Sequence, residues 1–150
     1  MKLSAAGFLL QKELEFLVTA MNDETMRPRM AVIGGAKVST KLPVLEKLMD
    51  QCDAILLGGA MIFTFFRAQG LETGASMVEE EMVDLAKQLL EMAEAKGVKL
   101  VLPTDVVLAE KFDNDATTAI APVTELSGGW LGLDIGPESI ELYKTVLQDA

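Results

Sequence analysis

Two lysines, Lys37 and Lys41, stand four residues apart after a short apolar segment and a pair of glycines. The glycines predict a tight turn, and a helix is predicted to begin at about Thr40, which places both ammonium groups near its first turn. A helix start carries unpaired N–H groups and a partial positive charge, so cations are unfavourable there. An anion between the lysines would remove that conflict, and a polyphosphate suits it best. The spacing is equally consistent with two solvated surface lysines.

The composition limits the chemistry that these lysines could serve. The chain has no histidine and a single cysteine, Cys52, which excludes serine–histidine and cysteine–histidine nucleophiles, a cysteine–histidine metal cluster and an intrachain disulfide. The net charge is −10 without any basic block, which argues against general binding of nucleic acid or of an anionic membrane. No apolar stretch approaches the roughly 18 residues that span a bilayer. Cys52 is expected to be a core thiol in a reducing compartment, the cytoplasm, with a plastid as the alternative.

The elements that must position the lysines alternate between strand and helix. Apolar runs predict strands at residues 30–33, 53–57, 98–102, 105–108 and 130–135. Helices are predicted at residues 4–21, 40–51, 60–70, 77–96 and 138–148, the first and fourth capped by Ser4 and Ser76. Because helices of ten or more residues separate continuous apolar strands, we expect one parallel α/β sheet covered on both faces.

Glycines recur where the predicted strands end, in Gly34-Gly35, Gly58-Gly59 and Gly132. In parallel α/β sheets ligands bind beyond the carboxyl ends of the strands, and glycine lets a ligand approach the backbone closely. Each glycine pair alone is also explained by a simple tight turn. Together they indicate one ligand-binding crevice.

Four stretches of the chain resemble phosphoglycerate kinases in order and spacing. They are residues 34–41 (GGAKVSTK), 7–14 (GFLLQKEL), 57–65 (LGGAMIFTF) and 129–139 (GWLGLDIGPES). Residues 102–105 and 111–113 also fit, so the resemblance covers essentially the whole chain. It implies a three-layer, Rossmann-like α/β fold with helices on both faces of a parallel sheet that is incomplete at its C-terminal end.

The resemblance implies that the lysine segment holds the phosphates of ADP or ATP. Lys41 would contact the phosphates, Lys37 would lie beside them, and Gly35 and Ala36 would let the nucleotide approach the chain. Thr40 stands where many relatives have an aspartate near the magnesium, so no metal ligand is assigned in this chain. Mg²⁺ is expected only as the companion of the nucleotide.

The same resemblance implies an adenosine site. Gly59 and Ala60 match its glycine-rich floor, and Ala60 departs from the commoner glycine, which would narrow that floor slightly. Met77, Gly132 and Leu133 match the apolar walls around the base and ribose. From the sequence alone these last three residues are equally understood as ordinary core positions.

The resemblance also implies a division of the chain. Residues 1–22 correspond to an interdomain helix, and residues 23–150 to part of the nucleotide-binding domain. The amino-terminal domain that binds 3-phosphoglycerate, and the later segments that hold nucleotide and metal, are expected to lie outside these 150 residues. No complete set of catalytic residues is therefore expected here.

The family reaction converts 1,3-bisphosphoglycerate and ADP into 3-phosphoglycerate and ATP, in glycolysis or carbon fixation. This chain alone is expected to have little or no turnover, because the acceptor site is missing. An alternative is a non-catalytic fragment that acts as a folding or self-association module through an exposed sheet edge. A nicotinamide-binding domain is disfavoured, since no Gly-x-Gly-x-x-Gly follows a predicted strand.

Overall fold

A computed structural model describes residues 5–126 and 128–149. Five helices and six strands are described in these ranges. In chain order they are α1 (Phe8–Asn22), β1 (Met30–Gly34), α2 (Leu42–Met49), β2 (Ala54–Gly58), α3 (Ile62–Ala68), α4 (Val83–Lys96), β3 (Lys99–Val101), β4 (Asp105–Ala109), β5 (Thr118–Pro122), β6 (Leu131–Ile135) and α5 (Pro137–Leu147).

The first sheet is parallel, has the order β1-β2-β3, and carries helices on both faces. One face packs against apolar side chains of α2, α3 and α4, including Leu45, Phe65 and Leu89. The other face packs against α5 through Tyr143 and Val146. Continuous apolar strands bury both faces of a sheet, so this arrangement follows from the residue pattern. The predicted α/β class with a helix-flanked parallel sheet is confirmed.

A second sheet, with the order β5-β4-β6, is antiparallel throughout, which the sequence did not predict. The expectation that residues 105–108 and 130–135 extend the parallel sheet is wrong. Only residues 102–104 separate β3 from β4, whereas a parallel neighbour needs a crossover of about a dozen residues or more. Strand β5 was missed because its apolar run, residues 119–121, is short and contains two alanines, and most of the strand is exposed.

The predicted helix starts differ from the structure, most of all for α4. Helix α4 begins at Val83 after a short 3₁₀ turn, and Ser76 does not cap it. The Ser76 hydroxyl instead accepts a hydrogen bond from the backbone N–H of Gly132 at 2.9 Å, a tertiary contact that replaces the local cap. The predicted cap Ser4 lies outside the described residues, and Gly7 is the cap residue of α1.

Helix α1 lies on the surface, and residues 8–20 are all exposed. Phe8 is 91% and Phe16 67% exposed, and Met21 is the helix residue that packs against the core. A helix normally buries one apolar stripe, so α1 presents an uncovered apolar face. No helix of the described residues is both long and apolar enough to cross a membrane.

Candidate nucleotide site

The lysine loop, residues 37–41, connects β1 to α2. Its fully buried residue Val38 anchors it, since the Val38 carbonyl accepts hydrogen bonds from the N–H groups of Lys41 and Leu42. Helix α2 begins at Leu42, later than predicted, so the two lysines precede the helix and do not share a helical face. Lys41 is the cap residue, which still places its side chain at the helix start.

The Lys41 side chain lies over Gly35. A Cβ atom added to Gly35 would be 3.0 Å from the Cε atom of Lys41. Within the described residues, neither Lys37 nor Lys41 forms a salt bridge, and Lys37 is exposed. The Thr40 hydroxyl donates to the Lys37 carbonyl at 3.0 Å. Since neither ammonium group is held in a salt bridge in the described part of the chain, both are available to an anion at this helix start.

The two glycine turns meet at the carboxyl ends of β1 and β2. These strands are parallel and pair Gly34 with Gly58. The Gly35 carbonyl accepts a hydrogen bond from the Met61 N–H at 2.9 Å, and Gly59 adopts φ +72° beside it. A Cβ atom on Gly59 would lie 2.6 Å from the Gly35 carbonyl oxygen. The structure thus brings Gly35, Lys41 and Gly59 together, with Ala36 and Ala60 adjacent in the chain.

Replacing Gly59 with alanine is expected to lower the free energy of unfolding by about 2 kcal/mol, because the new methyl group meets backbone and φ is positive. Urea titration measures this effect. Gly58→Ala is the matched control, since a Cβ atom there meets nothing within 4 Å; its expected change is under about 1 kcal/mol. Equal losses in the two variants would contradict the close packing of the glycine turns.

A bridging segment, residues 73–79, contains Met77 and is hydrogen-bonded to residues at the start of β6. The Ala75 N–H donates to the Trp130 carbonyl at 3.0 Å, and the Gly132 N–H donates to the Ser76 hydroxyl at 2.9 Å. Met77 lies between these contacts and Glu79 in the chain and is 53% exposed. The segment therefore links the start of β6 to the neighbourhood of the lysine loop.

Gly132 and Leu133 occupy different environments on β6. Gly132 is buried under the Phe63 ring, and a Cβ atom there would be 2.0 Å from the ring. Leu133 is 38% exposed. Of the two, only Leu133 offers side-chain surface to a ligand, while Gly132 lets β6 lie close to α3.

The sequence analysis did not single out Glu79, and it missed the contacts of this residue. Its carboxylate accepts hydrogen bonds from the hydroxyl and the N–H of Ser39 in the lysine loop. No local pattern could reveal a pair separated by 40 positions. Burial alone would raise the Glu79 pKa, but the hydrogen bonds from Ser39, a backbone hydrogen bond from Val38 and the charge of Lys37 together hold the pKa below its usual 4.5. Glu79 is therefore ionised at neutral pH.

Within residues 5–126 and 128–149, no group of three or more histidine, cysteine, aspartate or glutamate side chains could hold a metal ion. The Thr40 hydroxyl is turned towards the Lys37 carbonyl.

A phosphoglycerate kinase family model matches residues 1–150. This chain belongs to the phosphoglycerate kinase family. The chloroplastic phosphoglycerate kinase of Chlamydomonas reinhardtii is 53% identical over 150 residues, which are 100% of this chain and 32% of the relative. Phosphoglycerate kinase 3, cytosolic, of Arabidopsis thaliana is 55% identical over 147 residues, which are 98% of this chain and 36% of the relative.

Solved phosphoglycerate kinases share the fold. The structure from Coxiella burnetii superposes with a TM-score of 0.91 at 37% identity, covering 97% of this chain and 37% of that one. The structure from Pyrococcus horikoshii OT3 superposes with a TM-score of 0.73 at 28% identity, covering 94% of this chain and 36% of that one. The chain thus spans about a third of the length of these phosphoglycerate kinases, and its kinase-family membership and Rossmann-like fold agree with the resemblance seen in the sequence.

Proposed function

We propose that this chain is the nucleotide-binding portion of a phosphoglycerate kinase and binds ADP or ATP with Mg²⁺ as the companion of the phosphates. The observation that carries this proposal is the junction of Gly35, Gly59 and Lys41 at the carboxyl ends of two parallel strands. Glycine turns end both strands there, and a lysine stands at a helix start. Both features suit a polyphosphate.

In this proposal Lys41 binds the phosphates, Lys37 lies beside them, and Gly35 and Ala36 allow close approach. Gly59 and Ala60 form the floor under the adenosine. Met77, Leu133 and Gly132 belong to the wall around base and ribose, Gly132 by letting β6 pack closely. Residues 1–22 are the interdomain helix and residues 23–150 the partial nucleotide domain.

The chemistry of such a site is positioning and charge neutralisation. Phosphoryl transfer between 1,3-bisphosphoglycerate and ADP spreads negative charge over the transferred group, and fixed ammonium groups stabilise that charge. The acceptor in the reverse direction is a carboxylate, which is ionised at neutral pH, so the absence of histidine is no obstacle. We propose that 3-phosphoglycerate binds outside this chain and that the protein acts in the cytoplasm, in glycolysis or carbon fixation.

Titration with ADP in the presence of Mg²⁺ tests the binding proposal. The Trp130 side chain packs against the core two residues before Gly132 of the proposed site wall, so its emission is expected to change saturably as ADP fills the site. Calorimetry on the same samples provides an independent affinity. Saturating ADP that produces neither heat nor a change in emission would overturn the assignment.

Turnover is expected to be absent or very low in the isolated chain, because the acceptor site lies elsewhere in this proposal. A coupled assay of ATP formation from 1,3-bisphosphoglycerate and ADP measures it, with a full-length relative as the positive control. A rate near that of the full-length enzyme would show that these 150 residues hold a complete active site.

A second candidate function is a non-catalytic folding or self-association module. It is favoured by the exposed apolar face of α1 and by β1, an edge strand of the first sheet in the part of the chain described, whose Val32 is 61% exposed. Sedimentation is expected to show a mass that rises with concentration, and Phe16→Lys is expected to reduce that rise. A monomer at every concentration would argue against this candidate.

A further inference from the structure

A buried carboxylate ties the lysine loop to a distant part of the chain. Glu79 is 8% exposed, and its oxygens accept hydrogen bonds from the Ser39 hydroxyl at 2.5 Å and the Ser39 N–H at 3.2 Å. Ser39 is the middle residue of the lysine loop. Among the described residues, no lysine or arginine forms a salt bridge with Glu79. Its charge is therefore compensated mainly by donors of this loop.

The same residue also contacts α3. The Glu79 N–H donates to the Thr64 hydroxyl at 3.1 Å, and α3 follows directly after the Gly59–Ala60 turn. The other end of the bridging segment is hydrogen-bonded to Trp130 and Gly132 near the start of β6. One short segment thus touches the lysine loop, the helix behind the glycine floor, and β6.

A charged side chain in this position is expected to lower the stability of the fold compared with a well-packed apolar residue. Burying a carboxylate is unfavourable, and an apolar residue of similar volume would often be at least as stable. A carboxylate does, however, hold a loop more rigidly than a neutral acceptor, because hydrogen bonds to charged groups are shorter and stronger. Rigid support of a ligand-binding loop lowers the ordering cost when the ligand binds.

We infer that Glu79 is a positioning residue that holds the lysine loop in its phosphate-binding conformation through Ser39 and links this loop to the Met77 segment. This inference rests on the proposed function, since it concerns the same nucleotide site. It assigns Glu79 no contact with the nucleotide. The preference for ADP over adenosine should then depend on Glu79 and Ser39.

The direction in which Glu79→Ala changes ADP affinity distinguishes a positioning role of Glu79 from a purely electrostatic one. Glu79 is negative and close enough to Lys37 for their charges to interact. If charge alone mattered, Glu79→Ala would make the site more positive and tighten ADP binding. A positioning role predicts weaker ADP binding, by about tenfold, and an adenosine affinity that stays within about twofold.

Calorimetry with Mg-ADP and with adenosine on the 150-residue chain tests the inference. Glu81→Ala is the matched control, because Glu81 is exposed and two residues away, and its removal changes the net charge equally. Glu81→Ala is expected to bind both ligands like the wild type. Circular dichroism verifies that each variant is folded.

Ser39 provides a second test from the other side of the contact, which also applies if Glu79→Ala fails to fold. Ser39→Ala removes the hydroxyl and is expected to lower ADP affinity about threefold. Ser39→Thr keeps a hydroxyl and is expected to bind ADP like the wild type. If Ser39 only stabilised the fold, Ser39→Ala would not weaken the binding of ADP selectively over that of adenosine. Ser39→Thr, which keeps a hydroxyl, would then not differ from Ser39→Ala in this selectivity.

The outcomes distinguish the two proposals. A wild-type chain that binds ADP no more tightly than adenosine overturns the phosphate assignment, and the inference about Glu79 fails with it. A wild-type preference for ADP that is unchanged or larger in folded Glu79→Ala, or unchanged in Ser39→Ala, overturns the inference alone and leaves the nucleotide site standing.

Discussion

Replacing Lys41 with alanine is expected to weaken ADP binding about 30-fold, as measured by calorimetry with Mg-ADP. The side chain extends from the cap position of α2 and lies over Gly35, where the two glycine turns meet. A charged hydrogen bond to a phosphate contributes about 1.5–3 kcal/mol, and each 1.4 kcal/mol corresponds to about a tenfold change in affinity. Adenosine, which has no phosphate, should bind both proteins alike.

Two further variants define the origin of the loss. Lys41→Met keeps the aliphatic stem over Gly35 and removes only the charge, so its loss should match that of Lys41→Ala. Lys47 lies in the last turn of the same helix, and Lys47→Ala, which removes an equal charge, should leave ADP affinity within about twofold. If Lys47→Ala is as damaging as Lys41→Ala, general electrostatic attraction and not a local phosphate contact explains the binding.

Replacing Asp105 with alanine is expected to lower the free energy of unfolding by about 3 kcal/mol in urea titration. Asp105 is 2% exposed, and its carboxylate accepts hydrogen bonds from the backbone N–H groups of Glu138 and Ser139 and from the Ser139 hydroxyl. It thereby caps the first turn of α5 from the distant strand β4 and complements the helix dipole. Removing it leaves buried donors without acceptors, at about 1–3 kcal/mol each.

Asp115→Ala is the control for this variant. Asp115 is exposed, and its side chain forms no hydrogen bond in the part of the chain described. Its replacement is expected to change the free energy of unfolding by less than about 0.5 kcal/mol. Similar losses at the two positions would show that Asp105 does not stabilise α5.

The same carboxylate makes stability depend on pH. Burial alone would raise the Asp105 pKa, but hydrogen bonds from Ser139 and Glu138 outweigh it and place the pKa below the usual 3.8. A lowered pKa in the folded state stabilises the protein at pH values above 3.8, and this stabilisation is lost as the pH falls towards the folded-state pKa. Acid unfolding should therefore be less steep in Asp105→Asn than in the wild type below about pH 4.

Much of the first sheet was predictable because its signals are local. The apolar runs that become β1 and β2, the glycines at their ends and the Lys96–Gly97 end of α4 all agree with the structure. Periodicity and turn residues report the conformation of a few neighbouring residues, which suffices for elements of this kind. The family resemblance also depended only on short motifs and their order.

The contacts that organise the rest of the molecule were not predictable in this way. Ser76 has the residue type of a helix cap, yet its hydroxyl accepts from Gly132 across 56 positions. Glu79 has the residue type of a helix-start acid, yet it accepts from Ser39. Each polar group could either interact with a nearby helix start or form a hydrogen bond with a residue distant in sequence. Packing against the distant partner favoured the second option in both cases.

The sequence by itself determined the α/β class, the family, and the placement of a lysine and glycine pairs at strand ends, since each depends on residues adjacent in the chain. Only the tertiary structure decided the antiparallel second sheet, the burial of Gly132 under Phe63, and the link from Glu79 to the lysine loop. The physical reason is that strand pairing and buried hydrogen bonds join residues far apart in sequence, whose choice of partner depends on the packing of the whole chain.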